Sequence, residues 1–129
     1  MTTDLTMLAW AAGLTAILWI PYIVARIQTY GSAKTLAYVA DNEPLPPWAE
    51  KAKKAHYNAV ENLAPFAALV LVAQAAGAAN STTAMASVVY FWARVAHYLG
   101  AISGIPYVRT LTFTIGWIAI MVIFYQIVT

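Results

Sequence analysis

Four apolar stretches separated by short polar ones set the plan of this chain. They run from about Leu5 to Ile27, Trp48 to Ala79, Ala84 to Ser103 and Tyr107 to Val128. A helix needs roughly 20 apolar residues to cross a bilayer. The pattern therefore predicts an all-α integral membrane four-helix bundle, with residues 1–129 forming one four-span unit. Pro21 lies inside the first stretch and should kink it, which membrane helices tolerate. The segment Tyr30 to Trp48 is a long loop ending in Pro44-Leu45-Pro46-Pro47, and Pro47 suits the first turn of the next helix. Asn80 to Thr83 and Gly104-Ile105-Pro106 are tight turns, which make consecutive helices antiparallel neighbours.

Composition agrees. The chain is 62% hydrophobic and 9% charged, against about 25% charged residues in soluble domains. There is no cysteine, so disulfides, cysteine nucleophiles and cysteine metal sites are excluded. Any sulfur chemistry must use a thiol brought by a substrate. A net charge of +2, dispersed along the chain, does not suggest nucleic acid. Met1 to Met7 carries Asp4 and no basic residue, so the first span reads as a retained anchor and not a cleaved leader.

The basic residues sort by side. Arg26, Lys34, Lys51, Lys53 and Lys54 flank the first connection, Arg109 flanks the third, and the second has no charge. The positive-inside rule then puts the first and third connections in the cytoplasm and both termini outside. Asn80-Ser81-Thr82 is a glycosylation sequon on the outer side.

Asn58, Glu61, Arg94 and His97 interrupt the apolar spans. A central charge costs roughly 2.5 to 3.5 kcal/mol on insertion scales, so residues of this kind are functional by default. Glu61 lies about eleven residues into the second span, roughly 16 Å at the helical rise, and Arg94 about nine residues, roughly 13 Å, from the end of the third. Matching depth predicts an opposite-charge pair. Lys54, Asn58 and Glu61 share one helix face, as do Arg94 and His97. Arg109 opens the fourth span beside helix N–H groups that favour anions, and Arg26 reaches the same level from the first.

Together these residues predict a cationic pocket near the cytoplasmic face containing one carboxylate. It suits a small, mostly anionic ligand with an amine: Arg94 and Arg109 take carboxylates, and Glu61 takes the ammonium. The competing reading makes Glu61 and Arg94 a structural ion pair only. Lys51, Lys53 and Lys54 read as interface snorkellers, an explanation that also covers Arg26. His56 and His97 suggest haem ligation, but His56 points away from the Asn58 face, and no metal site is expected. Beyond Gln74 the outer half offers no polar path, which argues against a channel. Gly100 and Gly104 form a small-xxx-small pair that permits close helix approach.

The segment Lys54-Ala55-His56-Tyr57-Asn58-Ala59-Val60-Glu61-Asn62-Leu63-Ala64-Pro65-Phe66 resembles the second-helix signature of the MAPEG family, membrane-associated proteins in eicosanoid and glutathione metabolism. Arg94-Val95-Ala96-His97, followed by Gly104-Ile105-Pro106-Tyr107-Val108-Arg109-Thr110, resembles that family's third and fourth helices. The resemblance implies a homotrimer with glutathione as co-substrate, bound between subunits near the cytoplasmic face. It carries glutathione contacts to Arg26, Asn58, Glu61, Arg94 and His97. It carries thiolate stabilisation to Arg109, with Thr110 where a serine hydroxyl often sits.

The implied function is a glutathione transferase or peroxidase whose thiol attacks a small apolar electrophile or lipid hydroperoxide arriving from membrane lipid. Tyr57 stands where glutathione-using members often have arginine. Phe113 and Ala101 stand where tyrosines are frequent. These departures weaken the expected glutathione binding and favour an alternative, a non-catalytic lipid-binding or accessory subunit of a larger membrane complex.

Overall fold

The computed structural model describes residues 1–129 and contains helices and no strand. The helices are α1 (Thr3–Ile17), α2 (Ile20–Tyr30), α3 (Ser32–Leu36), α4 (Pro47–Ala75), α5 (Ser81–Ser103) and α6 (Val108–Val128). The expected kink in the first stretch is a full break. Pro21 sits in the first turn of α2, and its ring excludes a bond to the carbonyl four residues back, that of Ile17, where α1 ends. Pro65, in contrast, lies inside α4 without ending it. It leaves the Glu61 carbonyl without its helical partner.

The long loop is more ordered than its sequence suggested, since it contains α3. Gly31 turns the chain with a positive φ of 89°, a conformation open to glycine. Arg26 is buried beneath the loop and donates to the carbonyls of Ala40 and Glu43. Tyr30 donates its hydroxyl to the Pro44 carbonyl, and the Glu50 carboxylate accepts from the Leu45 N–H at 3.0 Å. Side chains thus satisfy backbone groups that no ladder reaches.

α4 stops at Ala75 and not Ala79, because Gly77 enters the left-handed region at φ 68°. The N–H groups of Ala78 and Ala79 then close back on the Ala73 carbonyl, a glycine-dependent helix stop. Asn80 caps α5 in a reciprocal box with Thr83. Its side-chain amide also donates to Gln126 at 2.8 Å, so the sequon asparagine is engaged in holding α5 against the end of α6.

Three helical lengths are long and apolar enough to cross a membrane: Thr3–Tyr30, taken across the break, Pro47–Ala75 and Val108–Val128. α5 has 23 residues but is not among them, since Arg94 and His97 lower its hydropathy. Both are buried, and the residues α5 turns outward include Met85, Val89, Trp92 and Leu99.

α5 packs against α1, α4 and α6. Two cores result. One gathers Phe66, Val70, Tyr90, Ile120 and Ile123 near the α4–α5 turn. The other, toward the α5–α6 turn, gathers Leu18, Tyr22, Leu45 and Tyr98 around alanines 25, 49, 52, 55, 59 and 101.

Candidate functional site

A cavity of about 620 Å³ opens between α4, α5 and the start of α6, within the 300 to 1,000 Å³ typical of small-molecule sites. Small residues make the room, with Ala55 on one wall and Gly100, Ala101 and Gly104 on the other. Gly100 also sets how closely α6 approaches, because a Cβ there would lie 2.5 Å from Val108 Cγ1. The turn carrying α6 is tight: Gly104 is left-handed at φ 69°, and so is Tyr107 at φ 71°. A left-handed aromatic residue is strained by roughly 1 to 2 kcal/mol.

The polar lining comes from three helices. α4 contributes Lys51, Lys54 and Asn58; α5 contributes His97; α6 contributes Arg109 and Thr110. Tyr107 and Phe113 complete the rim and floor. Arg109 and Thr110 lie in the first turn of α6, whose cap position, Tyr107, provides no side-chain hydrogen bond. The free N–H groups of that turn add partial positive charge. Lys51, Lys54 and Arg109 are cations, and no aspartate or glutamate lines the cavity.

Behind the lining lies a buried cation. Arg94, 5% exposed, donates from Nη2 to the Asn58 carboxamide oxygen at 2.7 Å. The same nitrogen lies 3.4 Å from His97 Nδ1. Asn58 is braced by the Asn62 amide, which donates to its side-chain oxygen and its carbonyl. Arg94 therefore fixes the orientation of two groups that face the cavity. Its own Nε has no partner.

The expected Glu61–Arg94 ion pair is not formed. Asn58 takes the guanidinium, and Glu61 is exposed. The reason is register. α4 begins at Pro47, so Asn58 lies about 16 Å along it and Glu61 about 21 Å, while Arg94 lies only about 13 Å from the end of α5. Of the expected site residues, the structure brings Asn58, His97, Arg109 and Thr110 around one cavity, with Arg94 directly behind. It does not bring Arg26 there, nor Glu61.

His56 turns to a separate cluster, with its Nδ1 3.0 Å from the Tyr22 hydroxyl, while His97 faces Arg94. Two lining lysines were not among the expected ligands. Their signal was present in the spacing, since Lys51, Lys54 and Asn58 recur at helical intervals and share a face.

The residues around this cavity come, in chain order, from the three segments that resemble the second-, third- and fourth-helix motifs. The MAPEG family model matches residues 6–129. The chain belongs to the MAPEG family. No curated protein and no solved structure matches it. MAPEG membership and three membrane-capable helices make this an integral membrane protein in a lipid environment. The family is generally glutathione-associated, and a cationic cavity at a helix N-terminus has the electrostatics to hold a polyanion and to favour a thiolate over a thiol.

Proposed function

We propose that this MAPEG protein is a membrane-bound thiol transferase or peroxidase of the glutathione type. The observation that carries the reading is the convergence of Arg109, Thr110, Asn58 and His97 on one cavity with Arg94 bonded behind them. Arg109 stabilises the thiolate, because a nearby cation lowers a thiol's pKa. The Thr110 hydroxyl donates a hydrogen bond to the same sulfur. Asn58 and His97 orient the peptide portion, which converts encounter into positioned attack.

The thiol gives its proton to solvent, and the sulfur then attacks an apolar electrophile. A C–S bond forms, and the leaving group departs with its electron pair. With a lipid hydroperoxide, sulfur attacks the terminal oxygen and the O–O bond breaks. An alcohol and a sulfenic acid result, and a second thiol reduces the latter to give disulfide and water.

In this reading the chain crosses the membrane four times, α5 included, with the basic connections and the cavity on the cytoplasmic side and both termini outside. The burial of Arg94 and His97 supports the fourth crossing, since the lipid-facing side of α5 stays apolar. A homotrimer is also proposed. Glu61, exposed on a spanning helix, is costly against lipid, and a second copy would cover it. Arg26 serves here by clamping the loop before α4.

The test is thiol-dependent turnover of an activated aryl chloride and of a lipid hydroperoxide by purified protein. Arg109→Ala should lower it by about 10² to 10³, the usual cost of removing one preorganised charge-stabilising donor. Wild-type turnover no greater than the buffer rate would reject the reading. A second reading, a non-catalytic lipid-binding module, has its own observation. An apolar groove of about 640 Å³ runs between α5 and α6, lined by Met85, Val89, Ile115, Ile118 and Val122. Co-purified lipid together with no thiol binding would favour it.

A further inference from the structure

Arg94 has only donors to offer, and that fixes the chemistry of both side chains in front of it. A guanidinium N–H accepts nothing, so the atom that meets it must be an acceptor. On Asn58 that atom is the carboxamide oxygen, 2.7 Å from Arg94 Nη2. The Asn62 amide, held by its bond to the Asn58 carbonyl at 2.8 Å, approaches the same oxygen at 3.4 Å. The amide nitrogen of Asn58 is thereby turned the other way. On His97 the facing atom is Nδ1, 3.4 Å from the same Arg94 nitrogen. A proton on Nδ1 would set two donors against each other. Nδ1 is therefore bare, and a neutral imidazole then carries its proton on Nε2.

Both freed groups belong to residues that line the cavity. The enclosed side-chain atoms left without a partner are Asp4 Oδ2 and Arg94 Nε alone, so Asn58 Nδ2 and His97 Nε2 are open to it. We infer that Arg94 is a positioning residue, which acts through Asn58 and His97 and makes both of them present hydrogen-bond donors to the cavity. The group they receive is an acceptor, a carboxylate or carbonyl oxygen held between two N–H donors. Each donor is also polarised, because a bond accepted from a cation strengthens the one donated onward. The identity of the ligand rests on the proposed thiol site. The donor polarity rests on contacts within one subunit, and it holds whatever a neighbouring copy adds to the wall.

The test reads the proton directly. Protein isotope-labelled at the ring nitrogens of its two histidines is purified in detergent and followed by NMR, with His56→Gln assigning the signals. His97 should carry its proton on Nε2 in the wild type. Arg94→Met should lose that preference and weaken glutathione binding, read by calorimetry, by about tenfold, the scale of losing two directed hydrogen bonds. Arg94→Lys, another cation with donors only, should restore the tautomer and most of the affinity. A proton on Nδ1 in the wild type would overturn the inference, and that spectrum decides even where Arg94→Met does not fold. An unchanged tautomer in folded Arg94→Met, or unchanged affinity where the wild type binds, would overturn it too. Nε2 protonation lost in Arg94→Met, with glutathione bound by no form, would uphold the role of Arg94 while rejecting glutathione as the ligand.

Discussion

The two ends of the bundle are built from different materials. Around the α4–α5 turn the core is filled by large side chains, with Phe66 stacked on Tyr90 at 3.8 Å between ring centroids and Ile123 fully buried beside them. Around the α5–α6 turn it is filled largely by alanines, with Tyr22 and Tyr98 as its only aromatic rings. Alanine and glycine let helix backbones approach closely, but they leave unfilled volume wherever the helices splay. The cavity lies there, walled by Ala55, Gly100 and Ala101. One end of the molecule uses its volume for packing, and the other keeps volume free for a ligand. Polar groups follow the same division, since Asn58 and His97 line the open cavity with Arg94 bonded behind them.

The contrast can be broken at several points. Phe66→Ala should cost the most, about 3 to 5 kcal/mol, read as a fall in thermal stability in detergent. It should leave thiol affinity nearly unchanged in the folded fraction. Asn58→Ala comes next. It strips a charge-assisted partner from buried Arg94, and such bonds contribute about 1.5 to 3 kcal/mol. Here stability and thiol binding should fall together.

Gly100→Ala forces its new methyl against Val108, and overpacking of this kind costs about 1 to 3 kcal/mol. Because Val108 immediately precedes Arg109, binding should drop as the start of α6 is pushed away. Val108→Ala in the same chain should restore it. Tyr107→Gly should have the smallest effect on stability, a gain of about 0.5 kcal/mol or no change. It removes left-handed strain but adds chain entropy to the unfolded state. A marked loss of stability in that variant would mean that the exposed ring has a packing role.

Much of the fold was legible in the sequence because apolar runs and turn residues are local signals. Pro21, Asn80 and Gly104 each mark a helix start or end through their own local chemistry, the proline ring, a side-chain cap and a left-handed turn. Boundaries slipped at Gly77, a local stop that the stretch to Ala79 passed over, and where the signal was tertiary. α3 has no strong local signature, and the loop around it is ordered by Arg26 from another element. In the site, helical phase grouped Arg94 with His97 and Lys54 with Asn58, but it grouped Glu61 with them too, and Glu61 is exposed outside the cavity.

Phase does not fix axial register, however. The depth count set Glu61 level with Arg94, but counted from Pro47 it is Asn58 that lies at that level, and Arg94 meets it there. Lys51 and Lys54 were read as snorkellers because a lysine near a span end has that ordinary explanation. Only the Ala- and Gly-walled opening beside them shows a cavity at their side. Arg26 was expected at the level of the pocket, yet its donors go to loop carbonyls that no sequence pattern announces.

The central claim is that the cationic cavity makes a thiolate from a thiol. The most direct measurement is an ultraviolet titration of the purified protein with glutathione, following the thiolate absorption band, with Arg109→Ala as the paired sample. The account predicts a saturable band in the wild type that disappears in the variant while its fold is retained. Absence of the band in the wild type, or a band of equal size in Arg109→Ala, would contradict it.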